Sequence, residues 1–306
     1  MNVMKEEKKY LRYSKNKIIA NFLLILTTVL WGTTFIITKN LTKNVPIFLY
    51  LGLRFSLAIF GFLPYFIHIK KINKKIILYG ALTGLIYCHA IIFQTFGLQT
   101  TTAGKAGFIT GLSTIMVPFL IWVWFKKTLK KRIWLAVIIS VIGMALLLLE
   151  GASGFVVGDF LVLICAVFCA FHIVLTDKFV RLVDVYLYSI VQLTTISLFC
   201  FGSSFLFNET FDLINVGLPF WLIMIYMGVI VTAGTFIFQN WSQQHQGPSQ
   251  TAIIFTLEPV FAVIFASFII GNETMSLVGW LGCTLIFIAI LITVLKNKAN
   301  VNKRYE

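Results

Sequence analysis

Apolar runs long enough to cross a membrane alternate with short charged segments along the whole chain. A helix needs about 20 mostly apolar residues to span a bilayer. The pattern therefore predicts an all-α, polytopic membrane protein with ten transmembrane helices and polar tails at residues 1–17 and 296–306. The predicted spans lie near residues 18–38, 45–69, 76–99, 106–125, 133–149, 160–176, 185–208, 216–239, 251–270 and 274–295.

The composition agrees with this pattern and excludes a soluble domain. Hydrophobic residues make up 59% of the 306 positions and charged residues only 12%, whereas a soluble domain carries about 25% charged residues. The mean hydropathy is +0.92. All five cysteines fall inside predicted spans, so they do not indicate a disulfide framework.

The net charge of +14 predicts the orientation of the chain. Basic residues concentrate in segments that share one side of the membrane if the N-terminus is cytoplasmic, above all residues 5–17, 70–75 and 126–132. Cytoplasmic loops carry such an excess of Lys and Arg. We therefore expect a multi-pass protein of the plasma (cytoplasmic) membrane with both termini in the cytoplasm. Its basic segments would lie beside membrane lipid, and no nucleic-acid partner is needed to explain them.

Features recur in the same order in the two halves of the chain, residues 18–150 and 151–295. The third and eighth spans share a Phe-Gln pair, and the fourth and ninth each contain one proline. Each half has five predicted spans, an odd number, so the second copy must enter the membrane upside down. Loop charges differ between matching loops as inversion requires, and inverted repeats are typical of secondary transporters. The matched residues include Gln94 with Gln239 and Pro118 with Pro259.

Several short motifs are similar to those of one transporter family. They are Trp31-Gly32-Thr33-Thr34-Phe35, Arg54-Phe55, the run 103–112 up to Pro118, Leu257-Glu258-Pro259-Val260-Phe261 and Gly271-Asn272-Glu273. In this combination the chain resembles the EamA-type transporters of the drug/metabolite transporter superfamily, over about residues 21–295. The resemblance implies ten helices and the export or uptake of small metabolites such as amino acids. One position departs from the family, which often has an acid where this chain has Lys126-Lys127.

Two charged residues lie inside predicted spans. Arg54 is close to the middle of the second span, where a charge costs at least ~2.5 kcal/mol unless it faces protein or water. Its planar guanidinium suits a substrate carboxylate, and the alternative is a structural clamp on backbone carbonyls. Glu258, beside Pro259 in the ninth span, is a candidate proton carrier or amine ligand. The alternatives for Glu258 are a fixed ion pair with Arg54 and a hydrogen bond at a helix end.

Other polar and aromatic residues of the spans complete the candidate site. Each has a plain alternative role: packing for the histidines, anchoring at the membrane interface for the aromatic residues and snorkelling outward for Lys105. No two histidines share a metal-ligand spacing, so we expect no metal. The predicted substrate-binding residues are Trp31, Thr34, Arg54, His89, Gln94, Lys105, His172, Gln239 and Trp241, and Glu258 is predicted to couple protons.

Together these features predict a secondary active or facilitative transporter that moves a small organic metabolite by alternating access. Export of an amino acid or a related solute is the first hypothesis, and import of a vitamin or a nucleotide-like metabolite is the alternative. A membrane-embedded enzyme or a non-transporting scaffold is the alternative from another class. The residues around Lys105 lack the spacing of a phosphate-binding loop, so we expect no nucleotide and no other cofactor. The expected partners are the solute, membrane lipid and protons, and the protein is expected to be a monomer or a homodimer.

Overall fold

The computed structural model describes residues 2–126, 129–149, 156–270 and 276–302. Every regular element in these ranges is helical, which confirms the all-α class. Lys127 and the motif at residues 271–273 lie outside the described residues. In chain order the elements are α1 (Asn2–Leu41), α2 (Ile47–Phe60), a 3₁₀ segment (Leu63–Lys71), α3 (Lys74–Gly97), α4 (Ala103–Gly111), α5 (Ser113–Phe125), α6 (Lys131–Leu149), α7 (Val157–Phe179), α8 (Val185–Leu206), α9 (Leu218–Ile225), a π-helical segment (Tyr226–Ala233), α10 (Gly234–His245), α11 (Pro248–Phe255), α12 (Glu258–Ile270) and α13 (Leu277–Asn302).

Seven helical stretches in the described residues are long and apolar enough to cross a membrane. An eighth is obtained if α2 and the 3₁₀ segment count as one bent span. This is the structure of a multi-pass membrane protein, with fewer candidate spans in the described ranges than the ten predicted. The seven stretches are Lys15–Leu41, Lys74–Gly97, Ala103–Trp124, Val157–Phe179, Val185–Leu206, Leu218–His245 and Pro248–Phe265.

The prediction of one continuous second span over residues 45–69 is wrong. α2 ends at Phe60, and the 3₁₀ segment leaves it at an angle of 84°. Pro64, at the start of that segment, has no backbone N–H and cannot continue the hydrogen bonds of α2. Gly61 occupies the corner, where a Cβ atom would lie only 2.5 Å from the Cβ of Ala233. An apolar run alone does not reveal such a bend.

Three of the spans are interrupted within the bundle. α4 gives way to α5 at Leu112, and α11 gives way to α12 at Thr256 and Leu257. Pro259 cannot donate a hydrogen bond to the Phe255 carbonyl, and α11 ends at Phe255. The third interruption is the π-helical segment between α9 and α10, which was not predicted. In membrane transporters, irregular backbone of this kind is tolerated where it lines a cavity.

The helices pack around the middle of the bundle. α3 lies against α7 and α8, α2 against α8, and α1 against α10 and α12, whereas α6 and α13 pack mainly on each other. Glycine allows a close approach of α3 to α8, because a Cβ at Gly84 would lie 2.9 Å from the Gln192 carbonyl oxygen. α4 also lies against α12 and α5 against α11, so these two interrupted spans face each other.

Candidate functional site

A narrow cavity lies where the interrupted helices meet α1, α2, α3 and α7. Its volume, counted as the space open to the centres of water molecules, is about 40 Å³. One water needs roughly 10–15 Å³ on this measure, so the described conformation admits a few waters and excludes a metabolite. Seven of the ten residues predicted from the sequence line this cavity: Trp31, Thr34, Arg54, Gln94, His172, Gln239 and Glu258.

Arg54 is buried in α2 and is held at one nitrogen only. Its Nε donates a hydrogen bond to Thr232 Oγ1 at 2.8 Å. The Thr232 hydroxyl donates its own proton to the Met227 carbonyl at 2.6 Å, so its oxygen is left to accept from Arg54. In the described residues the two terminal nitrogens of Arg54 have no hydrogen-bond partner. Because Arg54 lines the cavity, the open side of its guanidinium fork suits a carboxylate.

Thr232, which holds Arg54 beside the cavity, was not predicted from the sequence. It lies in the π-helical segment, and its hydroxyl bonds a carbonyl five residues earlier. The segment packs closely on α2, because a Cβ at Gly228 would lie 2.9 Å from the Arg54 carbonyl oxygen. π-helical turns occur frequently at functional sites. An uninterrupted apolar run carries no signal for the wider turn, so only the structure reveals this partner of Arg54.

Glu258 is the first residue of α12 and is 7% exposed. The backbone N–H groups of a first helical turn are unpaired, and a carboxylate placed there is stabilised by the helix dipole. Arg54 and Glu258 line the same cavity, but no ion pair joins them in the described part of the chain. The alternative of a fixed Arg54–Glu258 ion pair is therefore wrong for this conformation.

Neutral polar side chains complete the wall of the cavity. Gln94 Nε2 donates to Thr110 Oγ1 at 3.2 Å, and Gln239 Nε2 donates to Gln243 Oε1 at 3.2 Å. These two glutamines, which the internal repeat matches with each other, therefore both reach the cavity and both have partners. 

Aromatic and hydroxyl groups of α1 contribute to the same wall. The Trp31 and Phe255 rings pack with their centroids 4.8 Å apart, and Thr34 Oγ1 donates to the Trp31 carbonyl at 2.8 Å. The Thr34 oxygen can still accept a hydrogen bond from a ligand.

Three of the predicted residues do not line the cavity. His89 Nδ1 lies 2.8 Å from the Leu85 carbonyl oxygen of its own helix. The Trp241 ring packs on the His245 ring at 4.1 Å. Lys105 Nζ pairs with Asp159 Oδ2 at 2.6 Å, so the alternative that it snorkels outward is wrong. 

Comparison with known proteins identifies the family of membrane proteins to which this chain belongs. The sequence profile of the EamA-like transporter family matches residues 18–149 and 156–295. The chain therefore belongs to the EamA-like transporter family, as the motifs indicated.

Relatives with similar sequences are transporters by name. An uncharacterized transporter of Archaeoglobus fulgidus is 30% identical over 286 residues, which cover 92% of this chain and 87% of the relative. The uncharacterized transporter YetK of Bacillus subtilis is 24% identical over 285 residues, which cover 87% of this chain and 84% of the relative. A solved crystal structure shares the fold with a TM-score of 0.72 at 18% identity, over 90% of this chain and 96% of the other. These names support a transporter and specify no substrate.

Proposed function

We propose that this protein is a secondary transporter that exports a small amino-acid-like solute by alternating access. One observation carries the proposal: Arg54 and Glu258 line one central cavity without pairing with each other. Charged side chains within membrane spans are costly, and they mark solute or ion pathways. A solute with both a carboxylate and an ammonium group offers each of them a partner of opposite charge.

The size of the cavity supports alternating access rather than an open channel. A space of about 40 Å³ for water centres is too small for an amino acid. The solute therefore requires a change in conformation before it binds between Arg54 and Glu258. The interrupted helices around the cavity are the elements expected to move.

Contacts at the helix ends support two halves of opposite orientation. Lys105 at the start of α4 pairs with Asp159 at the start of α7, and Lys39 near the end of α1 donates to the Thr101 carbonyl beside them. We call this end of the bundle the Lys105 end. α1 runs toward the Lys105 end, and α7, its proposed counterpart in the second half, runs away from it.

The next proposed pairs of counterparts run in opposite senses as well. Glu209, just after α8, accepts hydrogen bonds from the Phe48 and Leu49 N–H groups at the start of α2. Where α2 begins, α8 therefore ends. Near the opposite end of the bundle, Ser242 of α10 donates to the Ala20 carbonyl of α1. α10 thus ends away from the Lys105 end, whereas α3 ends beside it. The opposite directions of these three pairs support two inverted repeats, and we propose ten spans in total.

Orientation and coupling belong to the same proposal. The basic loops support cytoplasmic termini in the plasma membrane, which makes the Lys105 end extracellular. Glu258 is the proposed proton carrier, because its balance between charged and neutral forms depends on the distance to Arg54 and on water in the cavity. We propose no enzymatic reaction and no cofactor. α6 and α13 are the proposed outer helices, available as a dimer face.

A thermal-shift screen of the purified protein with the common L-amino acids and their amides tests the proposal. We expect some free amino acids to raise the melting temperature, because a ligand that binds only the folded state stabilises it. The matching amide, which lacks the carboxylate, should have a smaller effect, and Arg54→Leu should remove the difference between the two. Stabilisation that is equal for acid and amide, or unchanged in Arg54→Leu, contradicts the proposed site.

A further inference from the structure

His172 forms part of the cavity wall, and its two ring nitrogens have different surroundings. The side chain is 2% exposed and packs beside the Tyr87 ring, with centroids 4.8 Å apart. The His172 Nε2 atom lies 3.2 Å from Gln192 Nε2. This is the hydrogen bond that the His172 side chain makes within the described residues. A neutral imidazole donates at one nitrogen and accepts at the other. The group that His172 presents to the cavity therefore depends on which end of the Gln192 amide faces Nε2.

One chain of hydrogen bonds orients the Gln192 amide from α8 and α10. Ser189 Oγ donates its single proton to the Val185 carbonyl at 2.8 Å, so that oxygen can only accept from Asn240 at 2.7 Å. The Asn240 atom at this contact must be the amide nitrogen Nδ2. The same Nδ2 lies 2.8 Å from the Gln192 side chain, so the Gln192 atom facing it must be Oε1. 

Turning the Asn240 amide over does not offer an alternative. Its Oδ1 is buried without a partner in the described residues. In the turned orientation Oδ1 would face Ser189 Oγ, whose only proton already goes to the Val185 carbonyl. Two acceptors would then meet at 2.7 Å, which is less favourable than one unpaired oxygen.

A second chain of hydrogen bonds, through α3, leads to the same orientation of Gln192. Thr83 Oγ1 donates its proton to the Tyr79 carbonyl at 2.7 Å, so it can only accept from its other neighbours. The remaining side-chain end of Gln192 lies 3.0 Å from Thr83 Oγ1 and must be the nitrogen Nε2. Tyr188 lies 2.6 Å from the same Thr83 oxygen and donates to it. Networks of this kind are what decides amide orientation and histidine tautomer.

We propose that Gln192 holds His172 in the neutral tautomer with the proton on Nδ1, and that this Nδ1–H is the hydrogen-bond donor His172 offers to the solute. Gln192 Nε2 also lies 3.2 Å from Tyr188 Oη, so its two protons are shared among Thr83, Tyr188 and His172. His172 Nε2 therefore faces a nitrogen that can only donate, and it must accept, because a proton on it would place two donors 3.2 Å apart. Gln192 and Asn240 are positioning residues, since they act through His172. The role toward a solute rests on the proposed function, and it requires a solute with an acceptor oxygen, such as a carboxylate, carbonyl or hydroxyl group.

Nitrogen NMR of ¹⁵N-histidine protein measures this tautomer directly. Replacing His68, His89 and His245 by Gln, none of which lines the cavity, leaves His172 as the sole imidazole. We expect Nδ1 to show a one-bond coupling to hydrogen and Nε2 to resonate as an unprotonated nitrogen. A proton on Nε2 of otherwise unaltered His172 overturns the proposal, and this result needs no substitution in the network.

Substituting Gln192 tests whether this residue sets the tautomer. In Gln192→Glu the carboxylate can accept from Nε2–H, so a proton should appear on Nε2. Gln99→Glu is the matched control, because Gln99 bonds Thr42 at 2.8 Å and does not line the cavity. Its spectrum should equal that of the parent. An unchanged His172 spectrum in folded Gln192→Glu protein contradicts the positioning role.

The donor role is tested with the common L-amino acids, added one at a time to the same labelled protein. An amino acid that stabilises the protein in the thermal-shift screen should move the Nδ1 resonance more than the Nε2 resonance. Stabilisation without any change at Nδ1 overturns the donor role. If NMR shows the proton on Nδ1 but no amino acid stabilises the protein, the tautomer is confirmed and the proposed solute class is wrong.

Discussion

Lys105 Nζ lies 2.6 Å from Asp159 Oδ2, and this ion pair joins α4 to α7 at one end of the bundle. Asp159 is fully buried and also accepts from Thr101 Oγ1 at 2.5 Å and from the Val156 N–H at 2.9 Å. α4 and α7 belong to different proposed halves. The pair therefore ties the two halves together at the Lys105 end, and it has to separate if that end opens.

Removing Lys105 alone should destabilise the protein more than removing both charges. Lys105→Ala leaves the Asp159 carboxylate buried without its cation, a change that costs about 3–5 kcal/mol in other proteins. Adding Asp159→Asn removes the buried charge, so the double variant should melt at a higher temperature than Lys105→Ala. Lys43→Ala, at an exposed lysine close to the end of α1, is the control and should leave the melting temperature unchanged. Equal melting temperatures for the single and double variants would show that the pair is not a buried electrostatic contact.

The same pair should control access to the cavity from the Lys105 end. Ser113 lines the cavity, so Ser113→Cys in a cysteine-free background reports its opening. We expect an impermeant thiol reagent, applied outside cells, to label this cysteine faster by roughly tenfold when Lys105→Ala and Asp159→Asn are both present, as for ~1.4 kcal/mol of lost closure. Labelling at the parent rate would refute a gate at this end.

Arg54→Lys should preserve the fold and weaken solute binding. A lysine supplies a point charge in place of the bidentate fork, and a hydrogen bond to a charged group is worth about 1.5–3 kcal/mol. We therefore expect the dissociation constant of a stabilising amino acid to rise by roughly 10- to 100-fold. Thr232→Val should have a smaller effect in the same direction, because it removes the acceptor that holds Arg54 Nε. Wild-type affinity in folded Arg54→Lys protein would exclude the anchor role.

The sequence predicted cavity residues most successfully where a charged or polar side chain is energetically costly to place in lipid. Arg54, Glu258 and Gln94 stand out in apolar runs, and the structure places all three on one cavity. The partner of Arg54 does not stand out, because Thr232 reaches it only through a π-helical turn. The role of Gln192 beside His172 depends on contacts with three other helices, which the sequence pattern does not reveal. 

The sequence pattern also did not predict the bend after α2 or the ion-pair partner of Lys105. Residues 45–69 form one apolar run, yet Gly61 and Pro64 allow the 84° turn after α2. The ion pair of Lys105 depends on the packing of α4 against α7, which hydropathy does not encode.

Topology follows from the same account and can be measured separately. Single cysteines at Asn215, between α8 and α9, and at Lys74, at the start of α3, replace exposed residues. We expect an impermeant reagent added to intact cells to label Asn215→Cys and not Lys74→Cys, because basic loops remain in the cytoplasm. Permeabilised cells, in which both positions should react, provide the control. The reverse pattern would invalidate the proposed orientation.

Solute flux in proteoliposomes tests the central claim most directly, using an amino acid identified by the thermal-shift screen. The wild-type protein should concentrate that solute when a pH gradient is imposed, and it should exchange labelled for unlabelled solute without one. Glu258→Gln should abolish the pH-driven accumulation and retain exchange, because it removes the proposed proton carrier. Arg54→Leu should abolish both activities, because it removes the solute anchor. Accumulation that persists at the wild-type rate in folded Glu258→Gln protein would contradict the proton carrier, and exchange that persists at the wild-type rate in folded Arg54→Leu protein would contradict transport through this cavity.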